Sequence, residues 1–433
     1  MRLMWISNSM TTPTGYGMQT RCFVPRIKNA GNDIAIAAFW GQEGSPSINS
    51  QGIMTYPRLA DPYMNDTINN DYAHHRADAI ISLIDVFVLD PRKYAQMFWV
   101  AWCPIDSEPM LPAIPTHLKP ARRIWAMSHF GERQLVAEGF ANVDYVPHGI
   151  DHKEFFPQSD KAEVLTRLKR DIGIDLANKF VVTMNSANKG VPSRKGFNEA
   201  FASFRMFSET HPDAVLYVHS EIRGVHQGEP LEDIRQMYDI PKEKVIYAPQ
   251  YHYVKGMLPP SYLNDIYAVS DVFLHTSHGE GFGIPIVEAQ TAGLPVIVTD
   301  CSSMPELCFS GWLVPGVPYA PAPGMLHRIP IIPKVVEALE ASYQQRGSEQ
   351  LRKSAIAGAA DYDADLVFER HMLPALAKIE VGVKAEQAKQ AELARLTAIA
   401  EKALDGKAHV AGTIAPKQQT FDKGKKGKKK VRA

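Results

Sequence analysis

The sequence has few cysteines, no long apolar run and no net charge, and each absence excludes a class of protein. Four of the 433 residues are cysteines. None forms a C-x-x-C pair, which argues against a disulfide framework and favours a reducing compartment. Cys301 and Cys308 have no matching histidine pattern, so we expect no zinc site. No run approaches the ~20 apolar residues that span a bilayer, and the start MRLMWISNSM reaches turn formers too early for a signal peptide. We therefore expect a cytoplasmic protein without a transmembrane segment.

Charge is balanced over the whole chain but not at its end. The sequence has 47 basic and 47 acidic residues, whereas its last segment, DKGKKGKKKVRA, is rich in lysine. We expect residues 406–433 to be a disordered basic tail. Two interpretations of it stay open: the lysines keep the chain soluble, or residues 423–432 contact a polyanion such as DNA or an anionic membrane surface.

Length and composition predict more than one folded domain. Hydrophobic residues make up 45% and charged residues 22% of the chain, so most of it can bury a core. Apolar runs alternate with helical stretches in two series, which is typical of parallel sheets with helical crossovers. The predicted strands are RLMWIS, DIAIAAFW, AIISLID, QMFWVAWCP, RIWAMS and VDYVPHG in the first series, then KFVVTMNS, AVLYVHS, KVIYAP, DVFLHTS and LPVIVTD in the second.

These series predict an α/β protein with two Rossmann-like, doubly wound domains. The polar stretch after Asp151 marks the boundary, which gives domains at residues 1–155 and 156–350. Residues 351–405 are predicted to be helical, with one helix crossing back to the first domain and another exposed. The proline-dense segment 314–333 is predicted to be a surface loop.

Ligands in such sheets bind at the carboxyl ends of the strands, so the residues after each predicted strand form the candidate site. The first strand leads to Gly15 and Gly17 at a helix start, where backbone N–H groups can approach phosphate. The strand KFVVTMNS leads to Lys189, Arg194 and Lys195. These basic groups can neutralise a diphosphate, and a solvated charge cluster is the alternative.

The most informative stretch is EGFGIPIVE, which follows the strand DVFLHTS. Glu280 stays on a loop beside the N–H groups of Gly281, Phe282 and Gly283, whereas Glu288 lies about one turn into a helix. One carboxylate can therefore bind a sugar and the other a ribose diol. A helix cap and a surface residue are the structural alternative for the same pair.

Two positions of the first domain also follow predicted strands. Asp106 comes after QMFWVAWCPI, and Ser128 and His129 come after RIWAM. Asp106 or His129 can meet an acceptor in a cleft between the domains, although a histidine after a strand is often structural. His148, in PHGID, is expected to serve a turn.

These motifs together resemble a known family. EGFGIPIVE, with GYG, VPHGID, RKGF and SDVFLHTSHGEGFG, is similar to the signature of retaining glycosyltransferases with two facing Rossmann-like domains, the GT-B fold of glycosyl transferases group 1 or family 4. The resemblance covers roughly residues 1–380. It implies that Glu288 binds the ribose of a donor nucleotide and Glu280 its sugar. Lys195 would neutralise the diphosphate with a second basic group, either Lys189 or Arg194.

The resemblance also implies a reaction. A sugar would pass from a nucleotide-diphosphate donor, bound as co-substrate, to an acceptor with retained configuration, while Gly15 and Gly17 lie near the diphosphate from the opposite domain. No cofactor is expected and no metal is required, because basic side chains supply the charge. The acceptor stays open: a glycan, a lipid, a protein or a modified DNA base. Two other functions stay open as well, a sugar-nucleotide epimerase of the same fold and a nucleic-acid-binding module that uses the lysine tail.

Overall fold

The computed structural model describes residues 1–411, with side chains as far as residue 402. The chain divides into two compact units, Met1–Glu380 and a second that begins at Val381. Both large sheets lie in the first unit. The predicted domain boundaries at residues 155, 350 and 405 stay predictions.

The first sheet has eight strands in the order β3-β4-β2-β1-β5-β6-β7-β8, and all neighbours are parallel except β3 and β4. All six strands predicted for this domain are present. β3 and β4 are short strands at one side of the sheet, with β3 at the edge, and the sequence did not predict them. The strands are β1 (Arg2–Asn8), β2 (Asp33–Trp40), β3 (Ser47–Ile48), β4 (Met54–Pro57), β5 (Ala79–Leu83), β6 (Trp99–Cys103), β7 (Arg123–Ala126) and β8 (Val143–Tyr145).

Helices cover both faces of this sheet. Thr14 caps the first of them, because its side chain accepts a hydrogen bond from the N–H of Gly17 at 3.1 Å. Pro25 lies within that helix. The helices are α1 (Gly15–Asn29), α2 (Ile68–His75), α3 (Pro91–Tyr94), α4 (Ala113–Leu118) and α5 (His129–Ala137).

The second sheet is entirely parallel, in the order β11-β10-β9-β12-β13-β14. The five predicted strands are confirmed and β14 is additional. The strands are β9 (Phe180–Asn185), β10 (Ala214–His219), β11 (Val245–Tyr247), β12 (Val272–His275), β13 (Val296–Thr299) and β14 (Gly311–Val314). The helices are α6 (Lys161–Ile172), α7 (Phe197–Ser208), α8 (Leu231–Met237), α9 (Gln250–Val254), α10 (Pro260–Val269), α11 (Ile284–Thr291), α12 (Ile332–Gln344) and α13 (Glu349–Ala359).

The proline-dense segment forms an antiparallel hairpin, so the prediction of a loop over 314–333 is wrong. Its strands are β15 (Gly316–Ala322) and β16 (Met325–Pro330). Each strand of a two-stranded hairpin has one edge outside the ladder, where the missing N–H of proline costs nothing. Proline density therefore excludes a helix here but not a hairpin.

The chain then returns to the first domain, as predicted. Asp363 pairs with Ile150 in a parallel bridge, Arg26 Nε lies 2.7 Å from Asp365 Oδ1, and Lys378 Nζ lies 2.6 Å from Asp144 Oδ1. These contacts confirm the crossing helix. The elements are α14 (Ala364–Val367), a π-helical turn (Phe368–Met372) and α15 (Leu373–Ala411).

α15 continues past residue 406, where the sequence predicts that helix ends. Leu393 on it is 65% exposed, in agreement with the predicted exposed helix. Residues 412–433, including the basic run 423–432, lie outside the described residues. Among the helices described, none combines the length and the apolar character needed to cross a bilayer.

Candidate active site

Each large sheet has one point where the strand order reverses, and the candidate residues gather at these points. In the first sheet β1 lies between β2 and β5, and in the second β9 lies between β10 and β12. Ligands of open α/β sheets bind in the crevice beyond such strand pairs. The chain leaves β9 toward Lys195 and leaves β12 toward Glu280.

Lys195 and Glu280 form a close ion pair there. Lys195 Nζ lies 2.5 Å from Glu280 Oε1, and Arg194 Nη1 lies 3.4 Å from Glu280 Oε2. Arg194 also donates to the carbonyl oxygen of Gly279. His275 Nε2 lies 3.1 Å from Glu280 Oε1. The structure thus brings together three residues that the sequence placed in one site from motifs about eighty positions apart.

The charges in this cluster are strongly coupled. Burial alone would raise the pKa of Glu280, but Lys195 and Arg194 hold it well below its usual range. Burial and the neighbouring Arg194 lower the pKa of Lys195, although Glu280 opposes this. Two basic groups side by side at a strand switch point are suited to an anionic ligand with two phosphates.

Hydrogen bonds fix the loop that carries Glu280. Its N–H donates to Ser302 Oγ at 2.9 Å, and Ser303 Oγ donates to the carbonyls of Glu280 and Phe282 at 2.8 and 2.7 Å. Gly283 begins α11 with φ of 107°, a conformation that favours glycine. The loop is therefore held rigidly before any ligand binds.

The two domains come close together at Gly281. A Cβ at this position would lie 2.4 Å from the Cβ of Pro104 in the first domain. A Cβ on Gly15 would likewise lie 3.2 Å from Ile284 at the start of α11. Gly17 has a different role, because its Cβ would lie 2.2 Å from the carbonyl oxygen of Thr12 within its own loop.

Glu288 lies in a separate, deeply buried environment. It is 2% exposed, and Tyr267 donates its hydroxyl to Glu288 Oε2 at 3.3 Å. Burial raises the pKa of Glu288 to about 8. A cavity of about 40 Å³ adjoins this carboxyl and is also lined by Gln19, Arg21 and Glu154. The carboxyl is thus protonated near neutrality, and it can both donate and accept a hydrogen bond.

The structure separates the two candidate partners of Lys195. Arg194 contacts Glu280, whereas Lys189 Nζ lies 4.8 Å from the ring centroid of Trp40 in the first domain. A cation over an aromatic face is an attractive contact in itself. Arg194 is therefore the basic group beside Lys195, and Lys189 lies against Trp40 and near Asp85 in the first domain.

Asp106 reaches the cluster from the first domain. Its carboxylate lies 3.7 Å from Arg194 Nη1 and 3.6 Å from His327 Nε2. Burial would raise the pKa of Asp106, but His327 and Arg194 lower it below its usual range. Asp106 is thus ionised and faces the donor loop, residues 279–283, while its predicted role toward an acceptor stays a prediction.

His129 lies among other residues. Its ring stacks on Tyr145 with centroids 3.8 Å apart, and Nδ1 lies 2.9 Å from Glu132 Oε2. Ser128 before it caps α5 by accepting the N–H of Gly131 at 3.0 Å. These contacts explain the His129 side chain structurally, so its catalytic role stays a prediction without a supporting contact.

The His148 ring packs against aromatic side chains of both domains. The residue is 2% exposed, and its ring centroid lies 4.7 Å from that of Trp102 and 5.2 Å from that of Phe282. Burial lowers the pKa of His148 to about 3, so the ring is neutral.

Sequence reasoning missed four residues around the cluster: Tyr16, Asp85, His275 and His327. Asp85 follows β5 as Asp106 follows β6, so the rule that found Asp106 could have found it. Burial, with the neighbouring Asp106, raises the pKa of Asp85 to about 6. Burial, with Asp85, also raises the pKa of Tyr16. His327 lies on the hairpin, where the sequence predicts a loop, and no sequence pattern indicated that this histidine belongs to the site.

Within the described residues, no three His, Cys, Asp or Glu side chains are grouped so as to hold a metal ion.

Comparison with known proteins matches the second domain to one family. Residues 168–312 match the model for glycosyl transferases group 1. The lipopolysaccharide core biosynthesis mannosyltransferase LpsB of Rhizobium meliloti (strain 1021) is 30% identical over 164 residues, which are 38% of this chain and 42% of that protein. Mannosylfructose-phosphate synthase of Agrobacterium fabrum is 26% identical over 164 residues, 36% of this chain and 32% of that protein. The chain thus matches less than half the length of either curated relative.

Solved structures match the fold over nearly the whole first unit. Sucrose-phosphate synthase from Thermosynechococcus elongatus superposes with a TM-score of 0.68 at 14% identity, covering 88% of this chain and 99% of that one. Anabaena Alr3699/HepE, solved in complex with UDP and glucose, gives a TM-score of 0.62 at 16% identity, covering 87% and 99%. These similarities show the two-domain fold of this chain.

Proposed function

We propose that this chain, which carries a domain of the glycosyl transferases group 1 family at residues 168–312, is a retaining glycosyltransferase that uses a nucleotide-diphosphate sugar. The observation that supports this most is the cluster of Lys195, Arg194 and Glu280 at the switch point of the second sheet. These groups are complementary to a nucleotide sugar. The two basic side chains can bind its anionic diphosphate, and the carboxylate can bind the hydroxyls of its sugar ring.

Each group of the cluster has a part in this proposal. Lys195 and Arg194 bind the diphosphate and stabilise the negative charge that grows on it as the sugar leaves. Glu280, released from these cations, accepts hydrogen bonds from hydroxyls of the transferred sugar. The rigid 280–283 loop presents N–H groups beside them.

Glu288 is proposed to bind the ribose of the donor. Its protonated carboxyl can donate one hydrogen bond and accept another, which matches a diol. The adjoining cavity of about 40 Å³ is small, so the domains would open to admit the nucleotide.

In the proposed reaction the bond between the anomeric carbon and the diphosphate oxygen breaks while the acceptor oxygen bonds to the same face of that carbon. The departing diphosphate oxygen takes the acceptor proton, so no enzymatic nucleophile is required. Basic side chains supply the charge that a cation would supply. We therefore expect EDTA to leave the rate of transfer unchanged, and a rate restored only by added metal would contradict this part.

The experiment is incubation of the purified chain with a panel of nucleotide sugars, followed by chromatography and by NMR of any glycoside formed. Release of nucleoside diphosphate with a product of unchanged anomeric configuration supports the proposal. Conversion of one nucleotide sugar into another without an acceptor would identify an epimerase instead. The acceptor in this proposal is a glycan, a lipid, a protein or a modified DNA base. A cytoplasmic location is also part of the proposal.

A further inference from the structure

The carboxyl ends of β5 and β6 place two carboxylates at one edge of the first sheet. β5 and β6 are adjacent and parallel, with Leu83 opposite Trp102. Asp85 and Asp106 each lie a few residues beyond these paired positions, at the end of the sheet that faces Arg194. First-domain carboxylates thus form the wall opposite the basic groups.

The hairpin of β15 and β16 covers this wall from the second domain. The N–H of Glu108 donates to the carbonyl of Leu326 at 3.3 Å, and a Cβ on Gly324 would lie 2.6 Å from Pro112. A Cβ on Gly279, in the donor loop, would lie 2.9 Å from the ring of His327. A Cβ on Gly279 would also lie 2.2 Å from the carbonyl oxygen of Asp106, so the donor loop, Asp106 and the ring of His327 meet at this position.

The ring of His327 is buried without a hydrogen-bond partner. The residue is 5% exposed, and among the described residues neither ring nitrogen has a hydrogen bond. Its distance of 3.6 Å from Asp106 allows attraction but exceeds the length of a hydrogen bond. Buried polar groups in proteins are nearly always satisfied, so a polar group of a ligand is expected to bond the His327 ring beside Asp106.

The charges of this wall exclude one class of ligand. In the proposed function Lys195 and Arg194 bind the donor diphosphate, and Lys189 lies against Trp40. Asp106 then loses the attraction of Arg194, which lies 3.7 Å from it in the free protein, whereas Asp85 keeps Lys189 as a positive neighbour. Carboxylates accept hydrogen bonds from hydroxyls but repel a phosphate, and unfavourable pairs of this kind are a common source of specificity.

We propose that Asp85, Asp106 and His327 form an acceptor subsite that selects an uncharged polyhydroxylated molecule, a sugar or polyol, over its phosphorylated form. The inference rests on the proposed function and names the acceptor class for it. Asp85 and Asp106 accept hydrogen bonds from acceptor hydroxyls, and His327 bonds a hydroxyl shared with Asp106.

The test separates donor binding from acceptor selection. Calorimetry first measures nucleoside diphosphate binding, and its failure would contradict the proposed function itself. The protein saturated with that nucleotide is then titrated, at about pH 8 so that both carboxyls are ionised, with a set of free sugars and polyols and with their monophosphates. Fructose and inositol, each beside its phosphate, are two such pairs. The uncharged member is expected to bind at least about tenfold more tightly.

Substitutions show whether the named residues cause this preference. Asp85→Asn and Asp106→Asn should each raise the affinity for the phosphorylated member about tenfold. Glu108→Gln, which removes an exposed carboxylate two positions from Asp106, is the matched control and should change neither affinity. His327→Gln should retain binding of the uncharged member, whereas His327→Leu should lose it. Unchanged nucleoside diphosphate affinity shows that each variant is folded.

Three results would overturn the inference while donor binding is intact. The first is a wild-type protein that binds the phosphorylated members as well as the free ones. The second is a protein that binds no uncharged member. The third is a set of aspartate variants that behave like Glu108→Gln.

Discussion

Glu306 of the second domain accepts a hydrogen bond at Oε1 from the backbone N–H of His129 in the first domain, at 2.8 Å. Its Oε2 accepts the N–H of Phe130 at 3.0 Å. A carboxylate at a helix amino terminus satisfies free donors and interacts favourably with the helix dipole. Glu306 comes three residues after Ser303, which fixes the carbonyl of Glu280. The segment from Ser303 to Glu306 thus contacts both the first domain and the donor loop.

Glu306→Ala is therefore expected to lower the free energy of unfolding by about 1–2 kcal/mol, because two N–H groups lose a charged acceptor. Urea unfolding measures this loss. Glu132→Ala, which removes the partner of the exposed His129 side chain, is the control and should cost less than about 0.5 kcal/mol. Equal losses in the two variants would show that the Glu306 contact does not hold the domains together.

Glu280→Gln should separate sugar recognition from nucleotide binding. Glutamine keeps the shape but removes the charge that Lys195 and Arg194 neutralise, so these cations become more available to phosphate. We expect transfer to fall by at least about 100-fold, while affinity for the nucleoside diphosphate stays equal or rises. Steady-state rates and calorimetry measure the two quantities.

A matched control for that variant is Glu199→Gln. Glu199 Oε2 lies 3.3 Å from His278 Nε2 in the same domain. Its loss should reduce transfer by less than about tenfold. A Glu280→Gln protein that binds the nucleotide as weakly as it transfers the sugar would contradict the role given to Glu280.

The raised pKa of Glu288 predicts that the stability of the protein depends on pH. Its pKa is about 8 in the folded protein, against an ordinary value of 4.5. The unfolded chain therefore loses this proton first, and wild-type stability falls as pH rises between these values. Glu288→Gln cannot ionise, so its stability relative to wild type should rise by on the order of 3–5 kcal/mol across the same range.

Urea unfolding at a series of pH values measures this difference. Glu163→Gln is the control, since its side chain is 71% exposed and its pH profile should follow wild type. Parallel profiles for Glu288→Gln and wild type would mean that Glu288 ionises normally in the folded state.

Much of the fold could be predicted because the central strands are buried on both faces. β5, β6 and β9 are buried and read as mostly apolar runs, and parallel sheets covered by helices require such runs. β3 is exposed and only two residues long, and β4 is four residues long with only Tyr56 and Pro57 buried, so neither has a long apolar run as a signal. Their pairing is decided by neighbours distant in the sequence.

The donor side of the site could be predicted for the same reason. Lys195 and Glu280 each follow a predictable strand, and strand order then brings them together. The contacts of His327 and Glu306 depend on how one domain faces the other, which no local pattern encodes. The choice between Lys189 and Arg194 was undecidable from spacing, because it depends on the position of Trp40 across the cleft.

The central claim is that Lys195 binds the donor diphosphate, and calorimetric binding of the nucleoside diphosphate to Lys195→Ala and Lys189→Ala tests it most directly. The two variants remove the same charge from the same loop. Lys195→Ala is expected to weaken binding by about 100-fold and Lys189→Ala by no more than about threefold, with both proteins folded. Wild-type affinity in Lys195→Ala, or the larger loss in Lys189→Ala, would contradict the account.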